Sequence, residues 1–228
     1  MGKTAFAISL ARNVALVQKC SVGYFSIEMA KEQLMSRVLA QESSVALSSV
    51  IDGNVGVEAW SGIVNSSAKL SDSRLAIDDS SFLCPFELQK KCEKLKNKNG
   101  LDLVVIDYLQ LMRTEKRLSS RRHEIAEICH WLKVMARDLD VPVIALSQLN
   151  RPTERRRTRR PALNDLRETP AIGDLADTVL TLYREHYYDT FVPNSVLEVN
   201  VLKSSTGMVG AAELGWDAKC VRVGNRFT

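Results

Sequence analysis

The stretch LDLVVIDYLQLM, residues 101–112, constrains the fold more strongly than any other part of the chain. Its apolar run ends in a single carboxylate, Asp107. Continuous runs of this kind, rich in Val and Ile, are typical of a parallel strand that is covered on both faces. Ligands of such sheets bind beyond the carboxyl ends of the strands. The run therefore predicts a buried strand that ends in Asp107 at a functional edge, although many α/β cores contain such a strand without a site at its end.

The first residues add a phosphate-binding signal. Gly2, Lys3 and Thr4 precede an apparent helix and match the second half of the loop G-x-x-x-x-G-K-[ST]. In that loop, backbone N–H groups hold phosphates, the lysine contacts the outer ones and the hydroxyl binds Mg²⁺. The loop begins here at its second glycine, directly after Met1. We therefore expect a strand and the first glycine to be encoded upstream.

Polar side chains follow two further predicted strands. Residues 22–28, VGYFSIE, predict a strand that ends at Glu28, and residues 141–148, VPVIALSQ, predict one that ends at Gln148. Because the carboxyl ends of parallel strands meet at one edge of a sheet, both side chains are expected near Asp107. Glu28 is suited to activate an attacking water, but it fits equally well as an acidic residue at the start of the next helix.

The remaining pattern predicts a single α/β domain. The composition of the 228 residues, 45% hydrophobic and 25% charged, is typical of a globular domain with a sizeable core. Five scattered cysteines without zinc-site spacing indicate reduced thiols in a cytoplasmic protein. No apolar stretch reaches the roughly 18–20 residues that a membrane-spanning helix needs. A strand at 179–183 and an antiparallel hairpin at 196–216 are expected to extend the sheet.

The formal net charge of +4 is mild but unevenly distributed. Residues 151–160, RPTERRRTRR, contain six arginines. Such a run is usually a solvated loop, so its position in the fold decides whether it contacts an anionic partner.

The chain resembles the C-terminal ATPase domain of DnaB-type replicative DNA helicases over nearly its whole length. The resemblance rests on five segments in order and spacing: MGKTAFA, YFSIEMAKEQLMSR, LDLVVIDYLQLM, WLKVMARDLDVPVIALSQLNR and DLRETPAIGDLADTVLTLYR. It implies a RecA-like P-loop core, a mostly parallel sheet flanked by helices, that assembles as a ring hexamer. Such a ring uses ATP and Mg²⁺ to move along single-stranded DNA as a 5′–3′ type helicase. A helicase loader and a primase are further implied partners.

The resemblance also implies roles for the nucleotide-binding residues. Gly2, Lys3, Thr4 and Ala5 would bind the phosphates, with Lys3 also contributing to catalysis. Thr4 and Asp107 would hold Mg²⁺. Phosphoryl transfer depends on positioning and charge stabilisation, which suits this set of residues.

Three further residues would complete the site, according to the same resemblance. Glu28 would be the catalytic carboxylate that activates water, Arg37 a contact to the nucleotide, and Gln148 the group that couples the γ-phosphate to the DNA-binding loops. The DNA contacts would come from two segments. Residues 151–160, the arginine loop, would line the channel with Arg155, Arg156 and Arg157. The pair that follows, Arg167 and Glu168, would contact the DNA backbone.

The sequence departs from the family pattern at two places. Pro170 replaces a residue whose backbone N–H approaches a phosphate, and proline has no N–H. The family's hairpin carries Lys-x-Arg, whose side chains reach the γ-phosphate of the neighbouring subunit, whereas this chain has Lys203 and then Ser205. Lys203 is a partial substitute for the missing arginine, unless Arg222 or Arg226 reaches across the interface. We therefore expect slow turnover.

Three classes of function agree with the sequence. They are a DNA-translocating ATPase, a RecA-like recombinase that forms open filaments, and a degenerate or truncated relative that binds DNA or partners with little turnover. The segments IDYLQLM and SQLNR favour the helicase over the recombinase.

Overall fold

A computed structural model of the chain describes residues 1–115, 118, 120–149, 158–166 and 170–226. Its first sheet contains the strands β1 (Val22–Ser26), β2 (Leu75–Asp78), β3 (Leu103–Asp107) and β4 (Val143–Ala145). These strands are parallel and lie in the order β2-β1-β3-β4. Every residue of β1 and β3 is buried, which confirms the prediction of a central strand that ends in Asp107.

Helices cover both faces of this sheet. They are α1 (Lys3–Arg12), α2 (Lys31–Ser43), α3 (Leu47–Asp52), α4 (Val57–Ser71), α5 (Pro85–Asn99), α6 (Arg121–Asp138) and α7 (Pro170–Leu175). A π-helical turn, Asn13–Val17, continues α1, and 3-10 turns span Leu109–Leu111, Leu163–Asp165 and Glu185–Tyr187. The predicted α/β class is therefore confirmed.

The alternation of side chains along the strands creates two cores. Tyr24 and Val105 pack with residues of α1 and α2 on one face. Phe25 and Ile106 pack with residues of α5 and α6 on the other. Because successive residues of a strand point to opposite faces, Asp107 shares the face of Val105 and is directed towards α1.

A second, antiparallel sheet follows the parallel one. It contains β5 (Thr178–Tyr183), β6 (Val196–Ser204), β7 (Gly210–Asp217) and β8 (Arg222–Gly224), in the order β5-β6-β7-β8. The predicted strand and hairpin therefore both exist. The expectation that they extend the parallel sheet is wrong for the described residues, because β5 pairs with β6 and not with β4. Strand pairing depends on long-range partners that the pattern of one strand does not specify.

A buried glutamine joins α1, α2 and the second sheet. Gln41 of α2 is 0% exposed, and its Oε1 accepts a hydrogen bond from Ser9 Oγ at 3.0 Å. Its Nε2 donates to the Val221 carbonyl at 2.8 Å and to the Ala5 carbonyl at 3.4 Å. Ser9 Oγ in turn accepts from the Val223 N–H at 3.0 Å. Because buried polar groups are costly unless they are hydrogen-bonded, this network fixes α1 against β8.

Two further features concern the cysteines and the helices. All five cysteines, which lie within the described residues, are unpaired thiols. Among the same residues, no helix combines the length and the apolar character that crossing a bilayer requires.

Candidate active site

The phosphate-binding segment lies at the N-terminus of α1. Gly2 is the N-cap residue and has φ 102°, in the left-handed region. A Cβ at this position would lie 3.1 Å from a ring carbon of Trp216, so backbone conformation and space both require glycine. The Phe6 N–H donates to the Gly2 carbonyl at 2.9 Å. The N–H groups of residues 3–5 precede this bond and have no intrahelical acceptor, which makes the helix start suited to an anion.

Lys3 is close to two carboxylates from different elements. Burial lowers the pKa of the Lys3 ammonium, and the charges of Asp107 and Glu28 oppose this shift. The Lys3 Nζ also lies 5.4 Å from the centre of the Tyr108 ring. Asp107 and Glu28 therefore both lie within electrostatic range of Lys3 at the start of α1, while the roles of these residues in catalysis stay predictions.

Asp107 is held by a tyrosine of the neighbouring strand. Tyr24 Oη donates a hydrogen bond to Asp107 Oδ2 at 3.0 Å, and both residues are buried. Burial, the charge of Asp107 and this hydrogen bond raise the pKa of the Tyr24 phenol, whereas the charge of Arg37 opposes the shift. Arg37, half-buried on α2, is therefore within electrostatic range of the same sheet edge.

The strand before Glu28 ends two residues earlier than predicted. Ser26 is the last residue of β1, and its Oγ donates to the Met29 carbonyl at 2.7 Å and accepts from the Met29 N–H at 3.1 Å. These local bonds compete with the sheet ladder and turn the chain. Glu28 is exposed in this turn and precedes Ala30, the N-cap residue of α2. Glu28 is thus a loop residue two positions before the N-cap of α2, and its role as the catalytic carboxylate stays a prediction.

Gln148 lies beyond the end of β4, which is also shorter than predicted. The strand stops at Ala145, and Gln148 is exposed. Gln110, which follows β3, holds this segment: its Nε2 donates to Ser147 Oγ at 2.7 Å, and its Oε1 accepts from the Gln148 N–H at 3.2 Å. The Gln110 amide therefore replaces the sheet ladder and positions the backbone of Gln148.

The three candidates for a contact to a neighbouring subunit are bound within their own chain. Lys203 Nζ donates to two backbone carbonyls of α7, both at 2.8 Å. Arg222 donates to Ser44 Oγ at 3.0 Å, and Arg226 forms an ion pair with Glu213. The electrostatics of this region therefore differ from those at the start of α1, because each cation already has an acceptor.

The predicted DNA contacts lie outside the described residues: Arg155, Arg156, Arg157, Arg167 and Glu168. The end of the arginine loop is described. Arg160 makes a two-pronged contact with Glu198 at 3.1 and 3.2 Å and lies 4.6 Å from the centre of the Tyr183 ring. Arg160 therefore connects the described end of this segment, residues 158–160, to the second sheet. Pro170 is the first residue of α7, a position where a helix needs no N–H donor.

Three polar residues of this region, Tyr24, Gln110 and Gln41, were not predicted from the sequence. Tyr24 lies in the predicted strand 22–28 and Gln110 in the apolar stretch 101–112, whereas Gln41 lies in α2 beyond the motif that ends at Arg37. The available signal was a hydroxyl or amide at a position with core spacing, because such a group must find a partner when buried. The pattern could not say which partner each group has.

A family model described as the DnaB-like helicase C terminal domain matches residues 1–225. The chain belongs to this family. It is 41% identical over 218 residues to the replicative DNA helicase DnaC of Bacillus subtilis (strain 168). It is 38% identical over 218 residues to the replicative DNA helicase DnaB of Geobacillus stearothermophilus. Each match covers 95% of this chain and 48% of the relative, so the chain spans about half the length of these relatives.

Two solved structures of DnaB-like proteins share the fold. One, described as an ATPase domain, superposes with a TM-score of 0.93 at 34% identity, over 98% of this chain and 80% of that one. The other, a DnaB-like replicative helicase studied for its interactions with primase, superposes with a TM-score of 0.94 at 35% identity, over 99% of this chain and 56% of that one. The resemblance to DnaB-type helicases and the predicted RecA-like fold are confirmed.

Proposed function

We propose that this DnaB-family chain is the ATPase motor domain of a replicative DNA helicase. One observation supports the proposal: Lys3, at the anion-binding start of α1, lies within electrostatic range of the carboxylates of Asp107 and Glu28. Phosphoryl transfer requires a phosphate cradle, a cation and placed carboxylates more than covalent chemistry, and this arrangement supplies all three. The similarity to replicative helicases, rather than to recombinases, supports DNA translocation as the work that hydrolysis drives.

The site residues then act in sequence on bound ATP. The N–H groups of residues 2–5 and the Lys3 ammonium bind the phosphates. Glu28, exposed in the turn after β1, accepts the proton of the attacking water as a general base. Arg37 contacts the nucleotide, and Gln148 couples the state of the γ-phosphate to the DNA-binding loops.

The donor set fits Mg²⁺. This ion takes hard oxygen ligands, commonly one or two from the protein, and completes its shell with water and substrate phosphates. The Thr4 hydroxyl and the buried Asp107 carboxylate are such ligands, and in the described part of the chain no cluster of three or more His, Cys, Asp or Glu could hold a metal by itself. When bound, Mg²⁺ would neutralise charge on the β- and γ-phosphates.

The partners are proposed from the family and from the charge pattern. A ring hexamer would complete each site with a cation of the neighbouring subunit, and the six arginines of residues 151–160 support single-stranded DNA as the ligand of the channel. A helicase loader and a primase are further proposed partners. The unpaired thiols and the replicative relatives support a cytoplasmic location.

The test is ATP hydrolysis by the full-length protein, with and without single-stranded DNA. We expect DNA-stimulated, Mg²⁺-dependent turnover that falls by at least about 100-fold in Lys3→Ala, because the cation that meets the phosphates is removed. Lys94→Ala, on the exposed face of α5, is the matched control. Wild-type turnover in Lys3→Ala would contradict the proposal.

A further inference from the structure

The hydrogen bond between Tyr24 and Asp107 crosses from β1 to β3. The two strands are parallel, with Tyr24 opposite Val105 and Ser26 opposite Asp107. Side chains two residues apart on a strand share a face, so Tyr24 and Asp107 lie diagonally on the face that α1 covers. The length of the tyrosine ring bridges this diagonal, and Oη lies 3.0 Å from Asp107 Oδ2.

Packing explains the ring of Tyr24 but not its hydroxyl. Tyr24 is 2% exposed, and its ring lies in the apolar core with residues of α1 and α2. A phenylalanine would fill the same volume. A buried hydroxyl is unfavourable unless it finds a partner. The hydrogen bond to Asp107, which is 1% exposed, is therefore what distinguishes tyrosine from phenylalanine at this position.

We propose that Tyr24 is a positioning residue for the reaction, and this inference rests on the proposed function. Its O–H donates to Oδ2 and restricts rotation of the Asp107 carboxylate, which would keep Oδ1 available to the Mg²⁺ that Asp107 would help to hold. Carboxylates that serve metals are commonly oriented by such outer hydrogen bonds. Tyr24 would therefore act on the reaction through Asp107.

The inference predicts a defect that is specific to the metal. Tyr24→Phe removes the hydroxyl and retains the ring, so the phosphate cradle at Gly2 and Lys3 stays intact. Binding of a fluorescent ADP analogue in the presence of EDTA should therefore be unchanged. The Mg²⁺ concentration that half-saturates tight ADP binding should rise by about 10- to 100-fold, the range found when outer hydrogen-bond partners of metal ligands are removed.

The experiment uses the full-length protein and compares Tyr24→Phe with Tyr187→Phe, an exposed tyrosine (58%) in the 3-10 turn between β5 and β6. Turnover is measured alongside, and saturating Mg²⁺ should restore most of it in Tyr24→Phe. If Tyr24→Phe does not fold, as judged by circular dichroism, Tyr24→Leu lacks the same hydroxyl with a smaller side chain and should show the same shift.

The outcomes separate this inference from the proposed function. A Mg²⁺ dependence like that of Tyr187→Phe overturns the positioning role, and so does an equal loss of ADP binding with and without Mg²⁺, which indicates a general structural defect. If the wild-type protein binds nucleotide without any effect of Mg²⁺ and does not hydrolyse ATP, the proposed function itself fails.

Discussion

The start of α1 and the second sheet hold their charged groups in different ways. At the start of α1, the charges of Asp107 and Glu28 act on the Lys3 ammonium, and Tyr24 donates a hydrogen bond to Asp107. On the second sheet, by contrast, Lys203 is hydrogen-bonded to carbonyls of α7 within the same chain. The first region presents backbone N–H groups that can bind an anion. The cations of the second region already have acceptors within the same chain.

This difference has a consequence for the ring that we propose. Hydrogen bonds to charged groups contribute about 1.5–3 kcal/mol when they are shielded from water and less when they are partly exposed. Lys203 makes two such bonds and, in the proposed ring, would have to give them up to reach the γ-phosphate of a neighbour. In the proposed ring, the contribution of Lys203 to a neighbouring site would therefore require that these bonds are released first.

Replacing Glu28 tests the catalytic role of the first region most directly. We expect Glu28→Gln to lower the rate of ATP hydrolysis by about 10²- to 10⁴-fold, because a general base is lost. ATP binding should remain, since the start of α1 and Lys3 are unchanged. Turnover and nucleotide affinity are measured on the full-length protein beside Glu32→Gln, an exposed residue of the first turn of α2. Normal turnover in Glu28→Gln would place the general base elsewhere.

Replacing Lys203 tests whether the second region takes part in catalysis. An arginine finger contributes about 10³- to 10⁵-fold in related phosphate-loop enzymes, and a lysine lacks its planar fork, so Lys203→Ala should lower turnover by less than this. The comparison with Arg222→Ala and Arg226→Ala is made under conditions in which the ring is assembled. If all three variants hydrolyse ATP at the wild-type rate, another residue supplies the contact and Lys203 does not take the place of the family's lysine.

The hydrogen-bond network around Gln41 connects the two regions, and its removal should destabilise the fold. Gln41→Leu leaves the Ser9 hydroxyl and two backbone carbonyls of the network without their partner. We expect the free energy of unfolding to fall by about 1–3 kcal/mol, the cost of leaving a buried polar group unsatisfied. Denaturant unfolding measures this, and Gln33→Leu, exposed on the same helix, is the control. Equal stabilities of the two variants would show that the network contributes little.

Neutralising the arginine loop should have the smallest effect, on the salt dependence of DNA binding. For single strands the slope of log K against log salt is roughly −0.7 per neutralised phosphate. Replacing Arg155, Arg156 and Arg157 by alanine should therefore flatten the slope by about 2. Replacing Lys90, Lys94 and Lys98 on the exposed face of α5 removes the same charge as a control. An unchanged slope in the arginine variant would identify the loop as a solvated surface.

The elements of this fold were predictable where the information is local. The apolar run before Asp107 predicted β3, the phosphate-loop residues predicted the start of α1, and the alternating segments predicted β6 and β7. Errors occurred at strand ends, where Ser26 and Gln110 replace ladder bonds with side-chain bonds. A hydrophobic pattern reports which face is buried, but it does not report where a polar side chain interrupts the ladder.

The sequence alone determines a parallel sheet that carries a carboxylate to one edge and a helix that starts with glycine, lysine and threonine. It also identifies the chain as a member of the DnaB-like helicase C terminal domain family. Only the packed molecule decides that the hydroxyl of Tyr24 meets a carboxylate 83 residues away, that Lys203 binds α7 and that β5 joins a separate sheet. The reason is physical. Periodicity is a property of neighbouring residues, whereas a hydrogen bond between distant ones depends on how whole elements are placed against each other.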